Sequence, residues 1–295
     1  MSRLSATFSF FSLEEFIMIS RNTVTSIFIL LLSSLTILAQ QQGFSKAIED
    51  NSFLIEEAYN QEERVIQHIS NAVYFQDPQH DVSYAFTQEW PIGGQRNQLS
   101  FTIPYAFLNS NSVNGVGDMM INYRYQLFTS NDWAAVAPRI SIVLPTGNVN
   151  KNLGLGTAGV QVNLPVSKRL SDFFVAHFNI GFTYLPAAQA PRTINGFQTD
   201  KHKLTWYNFG GSIIWLAEKK LNFMLEYLMN IASELDEFGS VNGFTEKILS
   251  PGIRCAIDIG ELQIVPGLAF PFSFSSRQAG TRVGMIFYLS FEHPF

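Results

Sequence analysis

The chain reads as an all-β protein: a transmembrane, antiparallel, up-and-down β-barrel of about 12 strands. Three observations carry that reading. The first is the C-terminal stretch Arg282 to Phe295, RVGMIFYLSFEHPF, in which Val283, Met285, Phe287, Leu289, Phe291, His293 and Phe295 share one face. Arg282, Gly284, Ile286, Tyr288, Ser290 and Glu292 fall on the other, the period of two that marks a strand. The second is that this alternation recurs along the chain, with one apolar face and one face carrying polar and charged residues. The third is a rhythm of short and long connections. Barrels of this class have short turns on the periplasmic side and longer loops outside.

Composition agrees. Of 295 residues, 46% are hydrophobic and only 15% charged, and the 27 Phe would supply an outer band and interfacial girdles. The net charge of -5 shows no basic patch, which argues against nucleic acid. The single Cys255 excludes an internal disulfide, and no cluster suggests a metal or cofactor.

Residues 1–39 are expected to be a signal peptide. SIFILLLSSLTIL has the length of an h-region, Arg21 supplies the positive n-region and Ala39 a small residue for cleavage. Glu14 and Glu15 suit an n-region poorly, so the expected start is Met18. Residues 40–63 precede the first strand and are expected to be a periplasmic tail or a plug. They combine acids with Phe53, Leu54, Ile55 and Tyr59, and the plug candidates are Glu56, Glu57 and Tyr59.

The barrel is expected over 64–295. Its first strand, near Val65 to Tyr74, has faces that do not separate cleanly. Then Tyr84, Phe86 and Trp90 oppose Thr87 and Glu89. Leu99, Phe101 and Ile103 oppose Gln98 and Ser100. Ile121, Tyr123 and Tyr125 oppose Asp118, Asn122 and Arg124. Ile140 and Ile142 oppose Arg139 and Ser141. Val160, Val162 and Leu164 oppose Gln161 and Asn163. Phe178 and Ile180 oppose His177 and Asn179. Ile213 and Trp215 oppose Ser212. Leu225 and Tyr227 oppose Glu226. Ile253, Cys255 and Ile257 oppose Arg254 and Asp258, and Ile264 and Leu268 oppose Gln263 and Gly267. Each strand is expected to have the roughly 9–11 residues that cross a bilayer at a tilt. PIGGQR, FTSND, KRLSD, AEKK and GE are the short connections. PTGNVNKNLGLG, PAAQAPRTINGFQTDKHK and ASELDEFGSVNGFTE are among the long ones.

An unpaired charge facing lipid costs about 2–4 kcal/mol at the midplane. The candidate lumen-lining residues are therefore Glu89, Asp118, Arg124, Arg139, His177, Glu226, Arg254, Asp258 and Arg282. They would either brace the lumen in acid–arginine ladders or line a polar path. Catalysis is not expected: no nucleophile motif accompanies His68, His80, His177, His202 or His293.

IEDNSFLIEEAYNQEERVIQHI (Ile48 to Ile69), SYAFTQEWPIGGQRNQLSFTIPY (Ser83 to Tyr105), GVGDMMINYRYQL (Gly115 to Leu127) and PRISIVLPTG (Pro138 to Gly147) resemble the outer-membrane proteins grouped as the meta-pathway of phenol degradation family. The resemblance implies a transporter in the outer membrane of a Gram-negative bacterium, passing small hydrophobic or aromatic molecules. It carries no catalytic assignment and nothing in the residues selects phenol. The alternatives are a structural or surface-interaction barrel and, third, a lipid-modifying enzyme. The expected partners are outer-membrane lipid, a small-molecule solute and the barrel-assembly machinery, the last through the aromatic C-terminal Phe295.

Overall fold

A computed structural model describes residues 52–75, 80–108, 112–191, 200–236, 239–277 and 279–295. All of them belong to one compact unit, Lys46–Phe295. The expected signal peptide and the first part of the segment before the barrel lie outside the described residues.

Among the described residues the chain forms β1 (Val65–Phe75), β2 (Val82–Pro91), β3 (Asn97–Leu108), β4 (Val113–Val116), β5 (Met120–Tyr125), β6 (Ala135–Val136), β7 (Arg139–Val143) and β8 (Gly159–Arg169). It continues through β9 (Phe174–Ala188), β10 (His202–Glu218), β11 (Leu221–Leu235), β12 (Val241–Cys255), β13 (Ile257–Ile259), β14 (Leu262–Ala269), β15 (Phe272–Ser275) and β16 (Thr281–Pro294). Successive strands pair antiparallel, and β1 pairs β16 from Val65↔Pro294 to Phe75↔Gly284, which closes the sheet. The result is a closed 12-stranded barrel. Breaks in the ladder divide four of its strands: β4 leads into β5, β6 into β7, β12 into β13 and β14 into β15. Closure removes every sheet edge and satisfies the backbone without water.

The outward face is the one the alternation assigns. Ile121, Ile140, Ile142, Val160, Val162, Phe178, Ile180, Ile213, Leu225, Tyr227, Phe287 and Leu289 are all exposed. An exposed apolar surface of that extent calls for a lipid environment. Both the chain's last residue and the start of β1 lie at the end with the short turns, where Phe295 donates its N–H to the Arg64 carbonyl at 2.9 Å.

Strand length departs from the expectation. β9 to β12 run 15, 17, 15 and 15 residues. ASELDEFGSVNGFTE, expected to be one long loop, is mostly hairpin: Ala232 pairs Phe244 and Leu235 pairs Val241. Beyond the membrane a strand needs no apolar face, so the pairing there leaves no period-two hydrophobic signal.

The interior is also not uniformly polar. Val175, Ile214, Leu216, Met224, Ala256, Val265, Ile286 and Tyr288 form a buried cluster that includes Phe53. Ile69 and Val73 of β1 pack against it. That explains the mixed faces of β1, whose inward side holds both these residues and the fully buried Gln67.

Candidate functional site

Residues 52–61 lie inside the barrel, and each end is held in a different way. At the first end, Phe53 packs at 5.0 Å between ring centroids from Tyr288. It occupies space that side chains at Gly252 and Gly267 would fill, and a Cβ at Gly210 would collide with Ile55. These three glycines, on β12, β14 and β10, are sockets in the wall. Ser52 meets Ser212 Oγ to Oγ at 2.8 Å, and the Asn71 amide donates to the Phe53 carbonyl at 2.8 Å.

From there the segment follows the inner wall past successive strands. Leu54 and Ile55 donate their N–H groups to Glu226 Oε1 at 2.9 and 3.1 Å. Asn179 accepts from the Glu56 N–H at 2.8 Å and donates to its carbonyl at 2.6 Å. Ser167 Oγ accepts from the Ala58 N–H at 2.7 Å. Gln126 accepts from the Asn60 N–H at 2.8 Å and donates to the Ala58 carbonyl at 2.7 Å. Gln98 accepts from the Gln61 N–H at 2.8 Å. Irregular backbone at membrane depth is tolerated only where such groups find partners within the protein. Here the amides of Asn179 and Gln126 pair with N–H and C=O together, as a neighbouring strand would.

The charged core of the site is an arginine pair. Arg124 of β5 and Arg139 of β7 are directly opposite across the ladder, a placement in which like charges repel. The Glu56 carboxylate lies between them. Arg139 Nε donates to both of its oxygens at 2.9 Å, and Arg124 Nη1 stands 3.4 Å from one. Asn163 donates to the other at 2.6 Å. Burial alone would raise the Glu56 carboxyl. Arg139 and then Arg124, with hydrogen bonds from Asn163 and Arg139, hold it below its ordinary value of 4.5. Arg124 is 2% exposed. It also donates to the carbonyls of Glu57 and Tyr59 at 3.1 and 2.6 Å and lies within 3.5 Å of Glu57 and 3.8 Å of Glu89.

The candidates read from sequence therefore separate into groups. Glu56, Glu57, Tyr59, Glu89, Arg124, Arg139, His177 and Glu226 come together around the inner segment. Arg254 is buried on the same wall as Glu226, at 1% exposure. Arg282 pairs with Glu246 at 3.0 Å and lies over the Phe75 ring, nearer the long-loop end. Two candidates lie outside the lumen network. Asp118 binds the N–H groups of Gly147 and Leu155 at 2.9 and 2.8 Å, anchoring the connection between β7 and β8. Asp258 is exposed in β13, where it pairs with Lys220 at 2.9 Å. Both keep the polar parity of their strands but lie at its ends, where parity no longer implies lumen.

Sequence reasoning missed the glycine sockets and the amide clamps, since Gly and Asn inside a strand carry no charge signal. It also missed Ser167, whose hydroxyl stands 2.6 Å from His177 Nδ1. The same hydroxyl accepts the Ala58 N–H, so it joins the segment to the ring. The two side chains are 1% and 2% exposed, and Tyr59 packs edge-on against the imidazole. The pair serves to seat Ala58.

At the short-turn end a recess of about 510 Å³ opens between the inner segment and the wall, lined by Tyr59, Asn60, Gln61, Gln126, Gln263 and Glu292 among others.

The geometry places the chain among closed transmembrane barrels with an internal segment. No family model matches the chain, and no curated protein matches it. Among solved structures it is similar to an outer membrane channel from Pseudomonas putida F1. That match has TM-score 0.58 and 10% identity, covering 81% of this chain and 98% of that one. KdgM porin (10% identity, 78% of this chain, 99% of that one) and NanC porin (8% identity, 77% and 100%) each align with a TM-score of 0.46. At these identities the likeness is one of fold.

Proposed function

We propose that the chain is a channel of the Gram-negative outer membrane, passing small solutes through a lumen that residues 52–61 occlude at rest. One observation carries this reading: an irregular segment sits inside a closed, lipid-facing barrel, held by side chains of the wall. The segment has no backbone ladder with the wall, so on this reading it leaves as a unit when its side-chain contacts are exchanged for others.

The nature of the solute rests on two supports. The resemblance to the meta-pathway family implies small hydrophobic or aromatic compounds. One patch of the long-loop half of the interior is apolar as well, with Val143, Leu185, Ala188 and Leu204 buried together and Met120 and Trp206 packed against them.

A second reading is a structural barrel without transport. The cluster around Phe53 favours it, because it fills the interior on the β9-to-β16 side. Single-channel recording in a planar bilayer decides between them. Deleting residues 45–60 should raise conductance while insertion is retained. Unchanged conductance in an assembled barrel would favour the structural reading.

A further inference from the structure

We infer that Arg124, Arg139 and Asn163 form a binding site for a small-molecule carboxylate, and that Glu56 is its built-in occupant. The inference deepens the channel reading and, for transport, rests on it.

The wall itself supplies the argument. Two arginines directly opposite across a ladder are a poor pair unless an anion joins them. No neighbouring strand supplies that anion to Arg139: among the described residues the carboxylate at ion-pair distance from it is Glu56, which belongs to the inner segment. The Arg139 guanidinium is meanwhile fixed by neutral groups of the wall. It donates to Asn122 at 3.2 Å, to Gln161 at 3.0 Å and to Ser141. Its Nε is thereby aimed at an anion whichever molecule brings it, and a planar guanidinium is the group suited to hold a carboxylate. Asn163 adds a neutral donor to the same oxygen pair. Glu57 and Glu89 balance Arg124.

The wall beyond the site indicates what the carboxylate would be attached to. Moving toward the long-loop end, the inward positions of β5 read Arg124, Asn122, Met120. Those of β7 read Arg139, Ser141, Val143, and those of β9 read Asn179, Gly181, Thr183, Leu185. β5 and β7 pass from an arginine through a neutral polar residue to an apolar one, and β9 likewise ends on an apolar residue. A molecule lying along this wall with its carboxylate between the arginines would place its body against Met120, Val143 and Leu185. The matching class is a monocarboxylic acid with an apolar body. Such a ligand would replace Glu56 at the arginines and so loosen the segment.

The test uses the full chain in detergent and in bilayers. Glu56→Ala should bind acetate by calorimetry about tenfold or more tightly than wild type, whose site is filled. Acetamide should not bind, and adding Arg139→Gln should abolish acetate binding. If Glu56→Ala does not fold, Glu56→Gln should instead lower the half-maximal benzoate concentration for opening about tenfold. In wild type, benzoate should increase channel openings and benzamide should not. The inference is overturned if folded Glu56→Ala binds no acetate, if it binds acetamide equally, or if Arg139→Gln leaves binding unchanged. An equal increase in wild-type openings with benzoate and with benzamide would also overturn it. Failure of the channel reading has a different signature, with no openings in any variant while acetate binding persists.

Discussion

The two ends of the inner segment are held by opposite chemistry. Phe53 and Ile55 are seated by shape: they fill space left by Gly210, Gly252 and Gly267 and join an apolar cluster. Glu56 to Gln61 are seated by polarity, through side chains of the wall and the ion pairs that Glu56 and Glu57 make with Arg124 and Arg139. Shape seating draws on the area removed from water, and the groups that provide it carry no charge. Polar seating is weak per contact and responds to charge. The difference implies that the Phe53 end anchors the segment, while the Glu56 end is where it is released.

The largest expected effect follows from the anchor. Phe53→Ala should cost docking about 3–5 kcal/mol, the usual range for emptying a buried Phe site. Hydrogen exchange at the Leu54 and Ile55 amides should accelerate strongly while β11 amides stay protected. Uniform loss of protection would mean that Phe53 supports the barrel as a whole.

Next comes a pair of adjacent residues on opposite faces of β11. Leu225 is 46% exposed and faces outward, whereas Glu226 is fully buried beneath the segment. Leu225→Arg should cost about 2–4 kcal/mol and impair insertion. Glu226→Gln keeps an acceptor for the two N–H groups and should cost only about 1 kcal/mol, with insertion normal. Equal insertion defects would contradict the register.

The smallest effect is on the polar end alone. Docking holds the Glu56 carboxyl below its ordinary value of 4.5. Ionised Glu56 therefore contributes its full stabilisation above that value and loses it as pH falls through the docked one. Channel openings should rise as the pH falls below the ordinary carboxylate range. Glu56→Gln should remove that rise.

These contrasts also explain what was legible beforehand. The outer face was readable because every lipid-facing position must be apolar, so Phe287, Leu289 and Leu225 announce their register. Part of the site was readable by charge: acids before β1 and arginines inside the barrel implied each other. The anchor was not, since Gly252 and Gly267 look like weak points in strands until Phe53 is placed against them. Nor was the packed cluster, because Ile214, Leu216 and Met224 break the alternation on the inward face only where another segment covers them.

The central claim is that the segment sits against the wall at rest and must leave it to open the path. Ser52 and Ser212 provide a direct test, because their hydroxyls stand 2.8 Å apart. A Ser52→Cys/Ser212→Cys variant, with Cys255→Ala to leave one thiol pair, should form a disulfide. Recorded in a bilayer, the oxidised protein should stay closed, and reductant should restore openings. A disulfide that fails to form would contradict the seating, and equal openings before and after reduction would contradict the gate.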